Sequence, residues 1–185
     1  MPDKADRKAA FSEIVSANAE RVLSLALRIT GDATLAQDIS QDVFASAWHA
    51  LGNRESVAAW PAYLRTATVR QALRYLRNRK PSSSEQLEAV VDPRPSPERT
   101  AEFRELESRV RGCLASLPEK QALAFALVKL DGLSYRECAE ALSCAEATAR
   151  VHAHRAMIAL ARMLRGDKPP ARSGTNKPSI TREEV

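Results

Sequence analysis

Apolar residues recur along most of this chain at intervals of three and four, the repeat of a single helix face. Phe11, Ile14, Val15, Ala19, Val22, Leu23, Ala26 and Leu27 predict a helix from residue 8 to about residue 29. Thr30, Gly31 and Asp32 stop it, with Gly31 suited to the left-handed residue that caps helices. Leu35, Ile39, Val43, Phe44, Ala47 and Trp48 predict a second helix over residues 33–51, followed by a loop at 52–56. A third runs from about residue 57 to residue 80, with Pro61 near its start, where a missing N–H costs least.

The second half begins after PSSSEQLEAVVDPRPSP, residues 81–97, which holds four of the ten prolines and three serines in a row. That composition predicts an extended or flexible linker with a short helical patch at 85–90. Helical spacing resumes at residue 98 through Phe103, Leu106, Val110 and Leu114, and Pro118 opens a helix over 119–130. Residues 132–156, GLSYRECAEALSCAEATARVHAHRA, read as two short helices on a tight turn, a helix-turn-helix. Ser134 with Glu137, and Ser143 with Glu146, both have capping-box spacing. Leu133, Cys138, Ala139 and Leu142 supply the apolar face of the first helix. Ala147, Val151, Ala156, Ile158, Leu160, Ala161 and Leu164 supply that of the second. The second helix projects Arg150, His152, His154 and Arg155. Residues 166–185 have little to bury and are expected to be disordered. No stretch alternates with the period of a half-buried strand. The expected fold is all-α: two small helical domains joined by a flexible linker, the second containing the helix-turn-helix. The boundaries are 1–80, 81–97 and 98–165, with 166–185 a tail.

Composition agrees with helices, being rich in Ala, Leu and Arg with only 5% aromatics over 185 residues. The net charge of +5 and pI near 9.4 favour a polyanionic partner. Its distribution says more. Residues 60–80 carry Arg65, Arg70, Arg74, Arg77, Arg79 and Lys80 and no acid, while Asp32, Asp38 and Asp42 make the preceding helix acidic on one side. The three cysteines, Cys113, Cys138 and Cys144, have no metal-ligand spacing with His152 or His154 and read as small core residues of a reducing cytoplasm. No signal peptide or membrane span appears, so a cytoplasmic protein is expected. No phosphate-cradling glycine loop, nucleophile elbow or metal-binding helix motif appears either, and His49 stands alone. Neither an enzyme nor a cofactor is expected.

Binding chemistry has more support. Arg70, Arg74 and Arg77 fall at spacings that share a helix face, with Trp60, Tyr63 and Tyr75 nearby. Cationic side chains follow a phosphate backbone, and aromatic rings stack on unpaired bases. Trp60, Tyr63 and Leu64 can equally be core, since one helix has two faces. The chain thus offers one surface suited to strands and another suited to duplex.

This combination resembles the extracytoplasmic-function sigma factors, small specificity subunits of bacterial RNA polymerase, over residues 11–164. ITGDATLAQDISQDVFASAWHAL is similar to the family's polymerase-docking helix, with Asp38, Gln41, Asp42, Phe44 and Trp48 at its motif positions. AYLRTATVRQALRYLRNRK is similar to the segment that melts and reads the minus-10 element, where Leu64, Leu76 and Arg77 match. The resemblance implies minus-10 contacts from Tyr63, Arg65, Arg70, Arg74 and Arg77. LASLPEKQALAFAL, GLSYRECAEAL and ATARVHAHRA are similar to the minus-35 domain, which implies duplex contacts from Ser134, Arg136, Thr148, Arg150, His152 and Arg155. Several positions depart from the family pattern. Tyr63 stands where Trp is usual, Arg70 where Asn is frequent, Arg74 where Asp or Asn is frequent, and Ala122 where Arg is frequent. Ala147 replaces a Gly, Ala149 a Val, and His152 an Arg. The resemblance implies core RNA polymerase and promoter DNA as partners, and an anti-sigma factor as regulator. A membrane-bound anti-sigma factor is then the one route to a membrane. A free-standing helix-turn-helix regulator, or a mimic that sequesters an anti-sigma factor, would leave the acidic helix or the retained arginines unexplained.

Overall fold

In the computed structural model, residues 4–52, 59–78 and 101–166 are described, and every regular element among them is helical. The elements are α1 (Lys4–Thr30), α2 (Ala33–Gly52), α3 (Trp60–Asn78), α4 (Ala101–Ser116), α5 (Glu119–Phe125), a π-helical turn (Ala126–Leu130), α6 (Tyr135–Ala141) and α7 (Glu146–Leu164). The linker at 81–97, its helical patch, the 53–58 part of the loop and the tail beyond residue 166 lie outside the described residues.

Helix α1 starts a turn earlier than its apolar spacing predicts, because Arg7 has a tertiary partner. Its guanidinium lies 4.1 Å from the Trp48 ring centroid, and Nη2 donates to the Trp48 carbonyl at 2.8 Å. Gly31 ends the helix at φ +69°, with its N–H on the Leu27 carbonyl at 2.8 Å, the left-handed cap the sequence predicts. Asp32 is an N-cap, not part of an acidic face. Its Oδ1 accepts the Leu35 N–H at 3.0 Å and satisfies a donor that α2 leaves unpaired.

The 119–130 helix changes pitch midway. Asp131 N–H bonds to the Ala126 carbonyl at 2.9 Å, five residues back, and Leu133 N–H to Leu127 O at 3.0 Å. Ser134 caps α6 with a complete capping box: its Oγ accepts the Glu137 N–H at 3.2 Å, and Glu137 Oε2 accepts the Ser134 N–H at 2.8 Å. The second predicted capping box is absent. Helix α7 has Ala145 as N-cap with no side-chain bond, so Glu146 is already its first residue. Ser143 instead ends α6 at φ 50°, with Ser143 N–H on Glu140 O and Cys144 N–H on Ala139 O, the paired bonds of a Schellman turn.

The apolar face of α7 also differs from expectation. Ala149, Ala153, Ala156, Ala159 and Leu160 are buried, whereas Ala147, Val151, Ile158 and Ala161 are exposed. Alanines let α7 approach α5 and α6 closely, and the larger residues face out. Helix α4 behaves similarly: Leu114 is buried, while Phe103 and Leu106 are about half exposed. Leu25, Ile29, Ile39, Leu64, Leu73, Leu117, Leu123 and Leu127 are each less than 2% exposed, a burial worth roughly 1.5–3 kcal/mol per side chain.

Those residues come from both halves of the chain and form one contiguous core. Helices α1, α2 and α3 pack together, as do α5, α6 and α7, and α4 touches both α3 and α7. The two helical units are therefore present and packed on each other.

Candidate nucleic-acid interface and docking face

On α2, the acidic positions fall off the apolar face. Asp38 and Asp42, one turn apart, are exposed beside the buried Ile39 and Val43 that follow them, and Gln41 is exposed with them. Asp42 Oδ2 accepts from Gln71 Nε2 at 3.1 Å and from the Tyr75 hydroxyl at 3.5 Å, so α3 braces it. Phe44 is half-buried against the core. Trp48 meets the Phe11 ring edge-on, with centroids 5.0 Å apart, under the Arg7 guanidinium. The acids and Gln41 thus stand out in solvent, while Phe44 and Trp48 belong to the packed edge that holds them in place.

Helix α3 turns Leu64, Thr68, Val69, Ala72 and Leu73 into the core and Arg70 and Arg74 outward. Tyr63 is half-buried and edge-on to Trp60, with centroids 5.7 Å apart. A cleft of about 620 Å³ opens beside it, lined by Tyr63, Arg70, Gln71 and Arg74 of α3, Val43 and Ser46 of α2, and Glu140 and Ser143 of the α6 turn. The cleft combines an aromatic edge with two guanidinium groups, a setting that suits an unpaired base on an anionic backbone.

The arginines expected on one face of α3 divide. Arg70 and Arg74 flank the cleft, and Arg70 lies 3.8 Å from Glu119 in a pair exposed on both sides. Such a pair contributes little. Arg77 turns the other way. Its Nε donates to Ala115 O at 3.1 Å and its Nη2 to Leu117 O at 3.3 Å, satisfying carbonyls that the end of α4 leaves unpaired. Arg65 faces the second half as well, pairing with Asp131.

In the helix-turn-helix, Arg136, Thr148, Arg150 and Arg155 are exposed, as is Ser134 beside its cap. Arg150 Nη2 pairs with Glu146 Oε1 at 2.8 Å, and its guanidinium carbon sits 5.1 Å from the Tyr135 ring centroid. Arg136 pairs with Glu140 one turn on. His152 does not project with its neighbours. It is half-buried, and its Nδ1 is enclosed without a hydrogen-bond partner. Burial, then Lys120 and Arg155 nearby, push its pKa below the ordinary 6.5. The hydrogen bonds from Ser134 hold the Glu137 carboxyl below the usual carboxylate range. Cys138 is fully buried, which pushes its thiol up to about 11. Cys113 is raised less, also by burial. Among the described residues, no group of three or more His, Cys, Asp or Glu is placed to hold a metal ion. No helix there is long and apolar enough to cross a membrane.

Sequence reasoning missed Asp131, Arg21, Tyr135 and Gln71. Tyr135 and Arg150 lie too far apart along the chain for a helical-face argument. Arg21 and Asp131 are separated by 110 residues. Only the tertiary fold pairs them.

Comparison with known proteins places these surfaces in a family. Residues 14–81 match Sigma-70 region 2, and residues 107–160 match Sigma-70 region 4. The RNA polymerase sigma-H factor of Pseudomonas aeruginosa is 30% identical over 168 residues, covering 85% of this chain and 87% of that protein. The ECF RNA polymerase sigma-E factor of Escherichia coli K12 is 32% identical over 170 residues, with the same two coverages. Two solved structures share the fold. CnrH, in complex with the cytosolic domain of CnrY, has a TM-score of 0.58 at 21% identity over 87% of this chain and 91% of that one. The sigma factor RpoE of Bartonella quintana, in complex with the anti-sigma factor NepR, has a TM-score of 0.50 at 20% identity over 86% and 99%. With both regions matched in order on the helices that carry the acidic face, the basic cleft and the helix-turn-helix, the chain belongs to the extracytoplasmic-function sigma factors of bacterial RNA polymerase.

Proposed function

We propose that the two halves divide promoter recognition between them. Residues 1–80 dock on core RNA polymerase and take the minus-10 element, residues 81–97 connect, and residues 98–165 take the minus-35 element. The observation that carries this reading is the pairing in one chain of a cation-flanked, aromatic-edged cleft on α3 with a capped helix-turn-helix whose arginines face solvent. Asp38, Gln41 and Asp42, with Phe44 and Trp48 behind them, form the polymerase-docking face. Tyr63, Arg70 and Arg74 receive the minus-10 strand, joined by Arg65 and Arg77 once these leave the second half. Stacking on an aromatic ring is worth about 1–3 kcal/mol per base, enough to offset part of the cost of unstacking the duplex. Ser134, Arg136, Thr148, Arg150 and Arg155 contact the minus-35 duplex. Their phosphate contacts release counterions, so affinity falls as salt rises. His152 supports α7 from within and reaches DNA only at its exposed edge.

The protein makes and breaks no covalent bond; the polymerase does. We infer a cytoplasmic protein held inactive by an anti-sigma partner, a reading supported by the NepR complex of the Bartonella sigma factor. The deciding experiment is run-off transcription with purified core polymerase and host promoter DNA. A promoter-specific transcript that requires this protein is the expected result. No transcript, together with a duplex footprint from the protein alone, would overturn the reading in favour of a free-standing regulator.

A further inference from the structure

Asp131 lies between the π-helical turn and Gly132, and its side chain is only 4% exposed. A carboxylate this enclosed requires cationic partners, and both of its partners belong to the other half of the chain. Arg21 Nε lies 3.0 Å from Oδ1, while its Nη2 donates to the Asp131 carbonyl at 3.1 Å. Arg65 Nε lies 3.3 Å from Oδ2, and its side chain is only 19% exposed. This second contact is a charge pair without hydrogen-bond alignment, so Arg65 Nε and Asp131 Oδ2 are enclosed with their bonding capacity unused. One residue earlier, Arg28 Nη1 donates to the Leu130 carbonyl at 2.6 Å. A single loop therefore collects three arginines from α1 and α3.

We propose that Asp131 is an intramolecular lock that keeps the chain closed and withholds part of the α3 cation face from nucleic acid. Its carboxylate occupies on Arg65 the place a phosphate would take. Arg77 is held at the same time by the carbonyls of Ala115 and Leu117. The helix-turn-helix is not withheld: Arg136 and Arg150 remain 82% and 62% exposed in the closed chain. Closed, the protein can reach duplex DNA and cannot offer its full strand-binding face. Opening supplies the rest. The occlusion, though not the lock itself, rests on assigning α3 to the promoter strand.

Charge arithmetic makes the lock sensitive to one carboxylate. Two guanidinium groups converge on one carboxylate. Neutralising it leaves both guanidinium groups without a counter-charge, and the penalty falls mainly on Arg65, whose side chain is 19% exposed against 49% for Arg21. Asp131→Asn keeps the shape and removes the charge. In the full-length protein it is expected to enlarge the radius of gyration in small-angle scattering. It should also speed amide exchange at residues 114–117 and 130–133, with helicity by circular dichroism unchanged. Affinity for single-stranded oligothymidine of about 15 nucleotides should rise on the order of tenfold at low salt. Arg21→Gln, on the other half, should reproduce the expansion, so loss of fold in one variant does not decide the matter. If both variants stay as compact and as protected as the parent, the lock is refuted. If they expand without any gain in strand affinity, the lock stands and the strand-binding role of α3 fails.

Discussion

Helix α7 sits against its neighbours through alanines, which leads to a sharp prediction for Ala153→Leu. Ala149, Ala153 and Ala156 are all 0% exposed, and Ala122, Leu123 and Ala124 of α5 are at most 2% exposed. There is no free surface into which a larger side chain can expand. Adding three carbons to a filled site costs about 1–3 kcal/mol through off-rotamer side chains and shifted backbone. In a protein of this size each kcal/mol moves the melting temperature by roughly 2–4 °C, so Tm should fall by roughly 2–12 °C. Both halves share one core, so a single cooperative transition is expected by circular dichroism. Ala161→Leu is the control, because Ala161 lies on the same helix in solvent. Leucine is nearly as good a helix former as alanine, so the control should stay within about 0.5 kcal/mol of the parent. Displacing α7 also moves the residues proposed to contact the minus-35 duplex, and on that proposal affinity for the duplex should fall for Ala153→Leu alone. Equal melting temperatures for Ala153→Leu and the parent, or equal losses in both variants, would refute close packing as the reason for the alanines.

Other predictions follow from single groups. Ser134→Ala removes the cap of α6 and should cost about 1 kcal/mol of stability, read by thermal or denaturant melts. The Glu137 carboxyl is held low by Ser134, so its stabilisation is complete above the ordinary carboxylate pKa of 4.5 and is lost as pH falls through the lower folded value. Ser134→Ala should flatten that acid limb. The folded pKa of His152 is depressed, so the folded state resists protonation. Stability attributable to it is complete above pH 6.5 and declines as pH falls from there through the folded value, a slope that His152→Asn should abolish. The Cys138 thiol, buried and raised to about 11, should react with a thiol reagent after Cys113 and Cys144, as peptide mapping of a time course would show. Asp38→Arg with Asp42→Arg should abolish binding to core polymerase, measured by size exclusion, while the chain still folds to the parent's helicity by circular dichroism. Retained binding would count against the docking face.

The helix-turn-helix was legible because its first half depends on local chemistry. Ser134 and Glu137 lie within one turn, and a capping box needs no distant partner. Ser143 and Glu146 show the weakness of the same rule. Identical spacing is satisfied differently once Ser143 is taken as the left-handed terminus of α6. Periodicity located α1, α2 and α3, but it could not say which apolar residues of α7 would find neighbours. Val151 and Ile158 fit the helical repeat and remain in solvent, because alanines allow the closest approach to α5. The acidic and basic runs likewise marked two surfaces without saying that Arg65 and Arg77 would be used by the protein itself.

The approximate helix spans, the family resemblance and the residue types of each candidate surface follow from the sequence alone, because hydrophobic period, caps and charge runs act over a few residues. Closure follows only from the tertiary structure. The contacts of Arg21 and Arg65 with Asp131, and of Arg77 with the end of α4, join residues far apart along the chain. They exist because burial of one shared core brings those charges within a few ångström of each other.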